Sequence, residues 1–207
     1  MKVLIAVPCM DECKSLFASS LAMLDCSSVH CIVAFQAGSL VYTSRNELAK
    51  KALEFNADYV LWLDSDIVFP ADILTRMLKD IEGRDIITGL YFRRARPFTP
   101  VLNKKLEMDE DGVVQFEDYE DYPDEIFEIA GCGFGCVLMR TPILFAVFSS
   151  YGAPFTPVPG MGEDLSFCWR ARQLGYKIHC DPGIKLGHVG QQVISEDFYK
   201  AFRAANK

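Results

Sequence analysis

Short apolar runs in the first third of the chain alternate with segments in which apolar residues recur every three or four positions. The runs are continuous and rich in β-branched residues, so they predict strands that are buried on both faces of a sheet. They are KVLIAVPC at 2–9, VHCIVAFQ at 29–36 and DYVLWLD at 58–64. Strands that alternate with helices in this way predict βαβ units and a parallel, doubly wound α/β sheet.

The segments between these strands, residues 11–25 and 43–56, have the spacing of helices. The second is expected to begin at Thr43 or Ser44, either of which can cap the free N–H groups of a helix. Glu47 has the position of a capping-box partner, which strengthens this start. Each helix is therefore predicted to connect two neighbouring parallel strands.

After the third strand, Pro70 suits the first turn of a third helix, and residues 85–92 predict a fourth strand. The pattern changes after this fourth strand. From Phe98 onward, short alternating pieces joined by glycines and acidic residues predict an α+β portion laid on the sheet. A last amphipathic helix is expected from about Ser195. We predict a single domain over residues 1–207, since half of the chain is apolar.

The charge of the chain is unevenly distributed. The net charge is −7, and the segment Asn103–Glu125 alone holds ten acidic residues against two lysines. A globally acidic chain argues against nucleic acid as the main partner. Arg93, Arg94 and Arg96 form a local basic run that is interpreted either as a solvated loop or as a site for an anionic ligand.

No segment has the composition of a membrane anchor or a signal peptide. The early apolar run Val3–Val7 is shorter than the ~7–15 residues of a signal-peptide core, and none reaches the ~20 needed to span a bilayer. Arg140 and Pro142 interrupt Cys136–Phe148, which therefore predicts a buried strand, a turn and a helix. The eight cysteines lack C-x-x-C spacing, so buried free thiols and a cytoplasmic location are expected.

Two aspartates, Asp64 and Asp66, interrupt the apolar sequence YVLWLDSDIVFP. They follow a predicted parallel strand, and open α/β sheets bind ligands at the carboxyl ends of their strands. Two residues apart on an extended backbone, their side chains leave on the same side. Together they suit one Mg²⁺ or Mn²⁺ ion whose other ligands are water and phosphate oxygens. The alternative interpretation of so short a motif is a polar turn.

The context of this motif resembles the nucleotide-sugar-dependent glycosyltransferases of the GT-A fold, in particular family 2. Further stretches resemble motifs of that family, namely AVPCMDE at 6–12, SRNELAKKA at 44–52, GCGFGCVLMR at 131–140 and GEDLSFCWRARQLGYKI at 162–178. The resemblance implies a Rossmann-like sheet that is mostly parallel and flanked by helices, with a smaller α+β portion on the acceptor side. It assigns residues 1–97 to nucleotide-sugar binding and residues 98–207 to the acceptor and catalysis.

The resemblance also implies a donor, a nucleoside-diphosphate sugar, and a divalent cation, Mn²⁺ or Mg²⁺. The residues expected to contact the donor are Pro8, Cys9, Met10, Gln36, Arg45, Asp64 and Ser65. Asp64, Asp66 and His188 are expected to hold the cation, although His188 in LGHVG is also interpreted as a structural loop residue. Gln36 stands where many family members have an aspartate, so UDP is only slightly favoured over other nucleotides.

Asp164 is the candidate catalytic base. Helical spacing places it on one face with Phe167 and Ala171, while Glu163 is turned roughly 100° away. In the family the aspartate of this E-D pair is the usual base of inverting enzymes, which favours inversion. A metal site that contains a histidine also occurs in retaining GT-A enzymes, so the stereochemistry is left open. Because an ordinary aspartate titrates near pH 4, the strength of Asp164 as a base is expected to come mostly from positioning and from exclusion of water. The two acids are alternatively interpreted as complements to the helix dipole.

Two rival functions remain open at this point. The sequence VLWLDSDIV also resembles the motif of haloacid-dehalogenase phosphatases, in which Asp64 would be the nucleophile and Asp66 the acid. A non-catalytic sugar-nucleotide-binding protein is the second rival. The acceptor of a transferase is left open between a saccharide, a lipid-linked sugar, a protein and a modified DNA base. The oligomeric state is also left open. The loop 152–162 is a candidate lid.

Overall fold

Alternating strands and helices build a central seven-stranded sheet in the computed structural model, which describes residues 1–191, 196 and 200. The strands are β1 (Lys2–Cys9), β2 (His30–Ala37), β3 (Tyr59–Leu63), β4 (Ile67–Val68), β5 (Ile86–Leu90), β6 (Leu102–Met108), β7 (Val114–Asp118), β8 (Phe127–Ile129), β9 (Gly131–Cys132), β10 (Cys136–Arg140), β11 (Ile178–Lys185) and β12 (Gly187–His188). The helices are α1 (Ser15–Ala22), α2 (Val41–Glu54), α3 (Ile73–Asp80), α4 (Thr141–Tyr151) and α5 (Glu163–Gln173).

The central sheet is mostly parallel, as predicted. Its strand order is β2-β1-β3-β10-β5-β11-β8. The pairs β1–β2, β1–β3 and β5–β11 are parallel, whereas β10 runs antiparallel between β3 and β5, and β8 is an antiparallel edge. Five of the seven strands therefore point the same way, and the carboxyl ends of β1 and β3 lie side by side. The α/β fold class is confirmed.

Helices cover both faces of this sheet, and alternate residues of each strand supply two cores. On β1, Leu4 and Ala6 face the core made with α2, α4 and α5, while Val3, Ile5 and Val7 face the core made with α1 and α3. The same alternation divides the residues of β3. Burial on both faces explains why these strands are continuous apolar runs in the sequence.

Strand β2 differs from the prediction, because it is not buried. It pairs only with β1 and forms an edge of the sheet, where Ile32, Val33 and Phe35 are 40–45% exposed. A continuous apolar run predicts a strand but does not report how many neighbours the strand has. That number is decided by the pairing of strands distant in sequence.

The start of α2 also differs from the prediction. The helix begins at Val41 after Leu40, and no side chain caps it. Ser44 is instead buried in the first turn, with its hydroxyl close to Gly38. The predicted cap at Thr43 or Ser44 is therefore wrong. The helix expected from about Ser195 lies outside the described residues.

The second half of the chain contributes to two layers. Strands β6, β7 and β9 form a separate three-stranded antiparallel sheet, which matches the predicted α+β portion. Strands β10 and β11 insert into the central sheet instead. Strand β10 leads directly into α4, which is the buried strand, turn and helix expected of that apolar segment. The division of the chain into a nucleotide-sugar half, 1–97, and an acceptor half, 98–207, stays a prediction.

Among the described residues, no helix has both the length and the apolar composition that crossing a membrane requires. All eight cysteines are free. Only half of them are fully buried, namely Cys132, Cys136, Cys168 and Cys180. The remaining thiols are partly or fully exposed, so the expectation of buried thiols is correct for four of the eight positions.

An aromatic cluster joins the central sheet to α5 and to the loop before it. The Phe155 ring stacks on Phe167 with centroids 4.7 Å apart and meets the edge of Trp62 at 4.8 Å. Phe155 is fully buried, and its backbone N–H donates to the Asn46 side-chain oxygen at 2.8 Å. These contacts anchor the middle of the loop 152–162, so a lid made from this loop would have to move around a fixed centre.

We expect Phe155→Ala to lower the free energy of unfolding by about 3–5 kcal/mol, because it removes a buried ring and leaves a cavity. The matched control is Phe145→Ala on α4, where the ring is 62% exposed. The control is expected to cost about 0.5 kcal/mol or less. Urea unfolding followed by fluorescence measures both. Equal effects of the two substitutions would contradict this account of the core.

Candidate functional site

A cavity of about 490 Å³ opens where the carboxyl ends of β1 and β3 meet the start of α5. Its walls contain most of the residues that the sequence predicted for the site, namely Pro8, Cys9, Met10, Arg45, Asp64, Ser65, Asp66 and Asp164. The parallel strands end together at this edge of the sheet, and α5 brings its first turn to the opposite wall. The cavity therefore unites residues that are up to 156 positions apart.

A second cavity, of about 420 Å³, adjoins the first and shares Asp64, Asp66 and Asp164 with it. His188 lines this second cavity. It reaches the site because β12 pairs with β4, which sets His188 opposite Ile67. The predicted cation ligands are thus neighbours, and Asp164 shares both cavities with the two aspartates.

Gln36 is not brought to this site. Its side-chain oxygen accepts a hydrogen bond from the Lys51 ammonium at 2.9 Å, and it lines a smaller cavity of about 190 Å³ that shares only Gly38 and Ser39 with the first. The wall next to Pro8 is formed instead by Gly38, Ser39 and Val41, which follow β2. The sequence analysis missed these three residues, since a short loop without charged side chains has no chemical signature.

Arg45 holds the carboxylates of the site together. Its side chain is 1% exposed, and its Nη2 donates to Asp64 Oδ1 at 2.9 Å. Its Nε lies 3.2 Å from Asp164 Oδ1 and 3.8 Å from Glu163 Oε1. Burial lowers the pKa of Arg45, but the three carboxylates raise it by more, so the guanidinium stays charged. Arg45 therefore acts foremost as an internal counter-ion.

Two aromatic rings complete the surroundings of this guanidinium. Its central carbon lies 5.5 Å from the centroid of Phe134 and 6.0 Å from that of Phe155. Contact with the negative faces of aromatic rings favours a buried cation. The aromatic cluster of the core and the charged cluster of the site thus share Arg45, which connects the packing of the core to the geometry of the cavity.

Asp164 does not titrate as an ordinary aspartate. Burial raises its pKa to about 7, because Arg45 only partly offsets the loss of water and Glu163 and Asp64 add to the rise. A quarter of the side-chain surface is still exposed, so the group contacts the cavity. The sequence predicted positioning and exclusion of water as the sources of its strength as a base, and burial adds a raised pKa to them. A carboxylate with a pKa near 7 accepts a proton much more readily than one near 4.

The two aspartates of the motif have opposite shifts. Burial raises the pKa of Asp64, and the contact with Arg45 opposes this rise without overcoming it. Burial also acts on Asp66, but hydrogen bonding to His188 and the charge of Arg94 outweigh it, so the pKa of Asp66 is lowered. Asp66 is therefore the more strongly ionised of the pair.

The donor set of Asp66 and His188 fits a divalent cation. The Nδ1–H of His188 donates to the Phe92 carbonyl at 2.8 Å, and Nε2 lies 3.6 Å from Asp66 Oδ2. When the imidazole is neutral, Nε2 has the lone pair that a cation needs. A hydrogen bond from the ring nitrogen that does not bind the metal, here from Nδ1–H to Phe92, is typical of metal-binding histidines. No group of three or more acidic, histidine or cysteine side chains is gathered to hold an ion within residues 1–191. A cation here would complete its ligands with phosphate oxygens and water.

Tyr91 is a buried residue of the site that sequence reasoning missed. Its hydroxyl accepts from the Gly135 backbone N–H at 3.1 Å, and its ring meets the edge of the His188 ring at 5.4 Å. A Cβ added at Gly133 would lie 2.3 Å from the Tyr91 hydroxyl, so the approach requires glycine there. The glycine-rich sequence at 131–135 was the available signal, but it does not identify its partner.

Solved structures with the same fold include enzymes that use sugar nucleotides. A197 from STIV has a TM-score of 0.64 at 19% identity and matches 92% of this chain and 87% of its own. GalNAc-T7 with UDP, GalNAc and Mn²⁺ has a TM-score of 0.61 at 12% identity, over 98% of this chain and 47% of its own. S. aureus TarS 1–349 in complex with UDP-GlcNAc has a TM-score of 0.55 at 16% identity, over 99% of this chain and 65% of its own.

The chain has the GT-A glycosyltransferase fold. Identities below 20% establish the fold and not the reaction. No known protein family and no curated protein matches the sequence. This GT-A chain spans about half of the GalNAc-T7 chain and about two thirds of the TarS chain.

We expect Arg45→Met to lower the free energy of unfolding by about 3–5 kcal/mol, because it leaves buried carboxylates without their counter-ion. Lys50→Met on the same helix is the matched control, since Lys50 forms only an exposed pair with Glu47 at 2.7 Å. The control is expected to cost about 0.5 kcal/mol or less. Thermal and urea unfolding measure both variants. A stable Arg45→Met protein would contradict the role of Arg45 as counter-ion.

Proposed function

We propose that this protein is a metal-dependent glycosyltransferase that moves one sugar from a nucleoside-diphosphate sugar to an acceptor hydroxyl. The observation that carries the proposal is that Asp164, Asp64 and Asp66 line the same cavity at the carboxyl ends of the strands. An acid with a raised pKa and an ionised acid in one cavity supply a base and a cation ligand. The GT-A fold supports this assignment.

The donor is proposed to bind along the first cavity. The Pro8–Met10 segment at the end of β1 and Ser65 offer backbone and hydroxyl groups to the base and ribose, and Arg45 and Asp64 line the same cavity. Gln36 is left out of this set, since its side chain is engaged by Lys51 in another cavity. A UDP-sugar is favoured, because the two glycosyltransferase structures with this fold contain UDP or UDP-GlcNAc.

Asp164 is proposed to remove the proton of the acceptor hydroxyl. As the proton moves to the carboxylate, the acceptor oxygen forms a bond to the anomeric carbon, and the bond from that carbon to the diphosphate breaks with its electron pair going to the phosphate oxygen. Attack opposite the leaving group inverts the configuration at that carbon. General-base catalysis of this kind contributes typically ~10²–10⁴-fold to a rate.

The cation is proposed to be Mn²⁺ or Mg²⁺, held by Asp66 and His188 with Asp64 beside them. It supplies positive charge to the departing diphosphate when it is bound. Mn²⁺ suits the mixed set of imidazole and carboxylate ligands, and one structure with this fold contains it. The division into a donor half, 1–97, and an acceptor half, 98–207, and a cytoplasmic location belong to the same proposal.

A panel of sugar nucleotides tests the proposal directly. We expect a UDP-sugar together with Mn²⁺ to raise the melting temperature of the purified protein and to be hydrolysed slowly in the absence of acceptor. Each component alone should raise it less. Release of phosphate from simple phosphomonoesters, without any dependence on a sugar nucleotide, would instead favour the rival function, a phosphatase of the haloacid-dehalogenase type.

Asp164→Asn separates a transferase from a protein that only binds sugar nucleotides. We expect turnover to fall by about 10²–10⁴-fold, because the amide cannot accept the proton. The dissociation constant of the donor, measured by calorimetry, should change little. Glu163→Gln is the matched control on the same helix turn, and it should lose much less activity. Equal activity of Asp164→Asn and the unmodified protein would refute the assignment of the base.

The pH dependence of kcat/KM should report the ionisation of Asp164. Burial raises its pKa to about 7, so the base is protonated and inactive below this pH and becomes available above it. We expect kcat/KM to rise about tenfold per pH unit at acidic pH and to level off above about 7. A profile that is flat from pH 5 to pH 8 would contradict this pKa.

A further inference from the structure

A positively charged side chain contacts the carboxylate that is proposed to bind the cation. Arg94 Nη1 donates to Asp66 Oδ2 at 2.6 Å. The same oxygen is the one that His188 Nε2 approaches to 3.6 Å. The guanidinium of Arg94 therefore contacts the oxygen at which the carboxylate and the imidazole converge.

Arg94 is held loosely enough to leave this contact. Its side chain is 50% exposed, whereas that of Asp66 is 19% exposed. Its aliphatic stem rests beside Gly190, where an added Cβ would lie 3.5–3.7 Å from the Arg94 Cβ, Cγ and Cδ. Arg94 lines both cavities, so open space lies on either side of its guanidinium. The buried Arg45, by contrast, has no such freedom.

A guanidinium and a divalent cation compete for one carboxylate oxygen. At a separation of about 4 Å, two like charges repel each other even when water screens them partly. The oxygen also has a limited number of lone pairs, and a short charge-assisted hydrogen bond uses one of them. Arg94 in its present position therefore opposes binding of a cation to this oxygen of Asp66.

We propose that Arg94 takes the place of the divalent cation on Asp66, and that the cation binds only by displacing it. The inference rests on the proposed function, because that function assigns Asp66 to the cation. It adds a step that the assignment does not contain, since the cation-free site is closed by the chain's own positive charge. The displaced guanidinium is then free to contact the negatively charged diphosphate of the donor, a ligand that arginine binds well.

Mn²⁺ binding without nucleotide tests this competition. Free Mn²⁺ is measured by electron paramagnetic resonance while the metal is added to the unmodified protein, to Arg94→Gln and to Arg93→Gln. Arg93 is the matched control because it lies next to Arg94, carries the same charge and pairs with Asp118 at 2.9 Å instead of with Asp66. The readout is a dissociation constant and does not depend on catalysis.

We expect Arg94→Gln to bind Mn²⁺ at least roughly threefold more tightly than the unmodified protein, because an exposed ion pair that opposed binding is gone. Arg93→Gln should differ by less than about twofold, since its guanidinium does not contact Asp66. An unchanged or weaker affinity of Arg94→Gln would overturn the inference. An equal gain in both variants would also overturn it, because the effect would then be one of net charge.

Asp66→Asn distinguishes failure of this inference from failure of the proposed function. If the unmodified protein binds Mn²⁺ and Asp66→Asn does not, the cation assignment stands, and the two arginine variants decide the inference alone. If Asp66→Asn binds Mn²⁺ as well as the unmodified protein does, the cation is not held by Asp66. Both the assignment and the competition would then be rejected.

Discussion

The buried guanidinium of Arg45 is the interaction on which the rest of the site depends. Three carboxylates, from Asp64, Glu163 and Asp164, converge within 4 Å of it, and like charges so close together require a cation between them. Arg45 supplies that charge from inside the fold. Because its side chain also packs between Phe134 and Phe155, the position of the charge is set by the aromatic core.

This arrangement divides the positive charges of the site into a fixed and an exchangeable one. Arg45 is fully enclosed, so it holds Asp64 and Asp164 in place whatever the cavity contains. Arg94 is half exposed and contacts Asp66 from the solvent side. Asp64 and Asp164 thus share one enclosed guanidinium, whereas the contact of Asp66 with Arg94 is open to solvent. Burial raises the pKa of Asp164 to about 7, while His188 and Arg94 outweigh burial at Asp66 and lower its pKa.

The fold and part of the site follow from local patterns in the sequence. The apolar runs of β1 and β3 reflect burial on both faces, and their order with α1 and α2 sets a parallel sheet. In such a sheet the strand ends collect ligands, so Asp64 and Asp66 were identifiable as site residues. Helical spacing set Asp164 on the face of α5 with Phe167 and Ala171, but it did not predict that Glu163, expected to be turned away, also lines the cavity and lies 3.8 Å from Arg45.

The remaining features depend on contacts between distant segments, which a linear pattern does not encode. The chain alone determined the alternation of strands and helices, the acids at their ends and the inward face of α5. Only the tertiary structure decided that β2 is an exposed edge and that Gln36 accepts a hydrogen bond from Lys51. It also decided that Arg45 donates to Asp64 whereas Arg94 donates to Asp66. The physical reason is that hydrophobic periodicity reports burial along one element. Strand neighbours, ion-pair partners and pKa values arise instead from the sum of all elements packed around a residue.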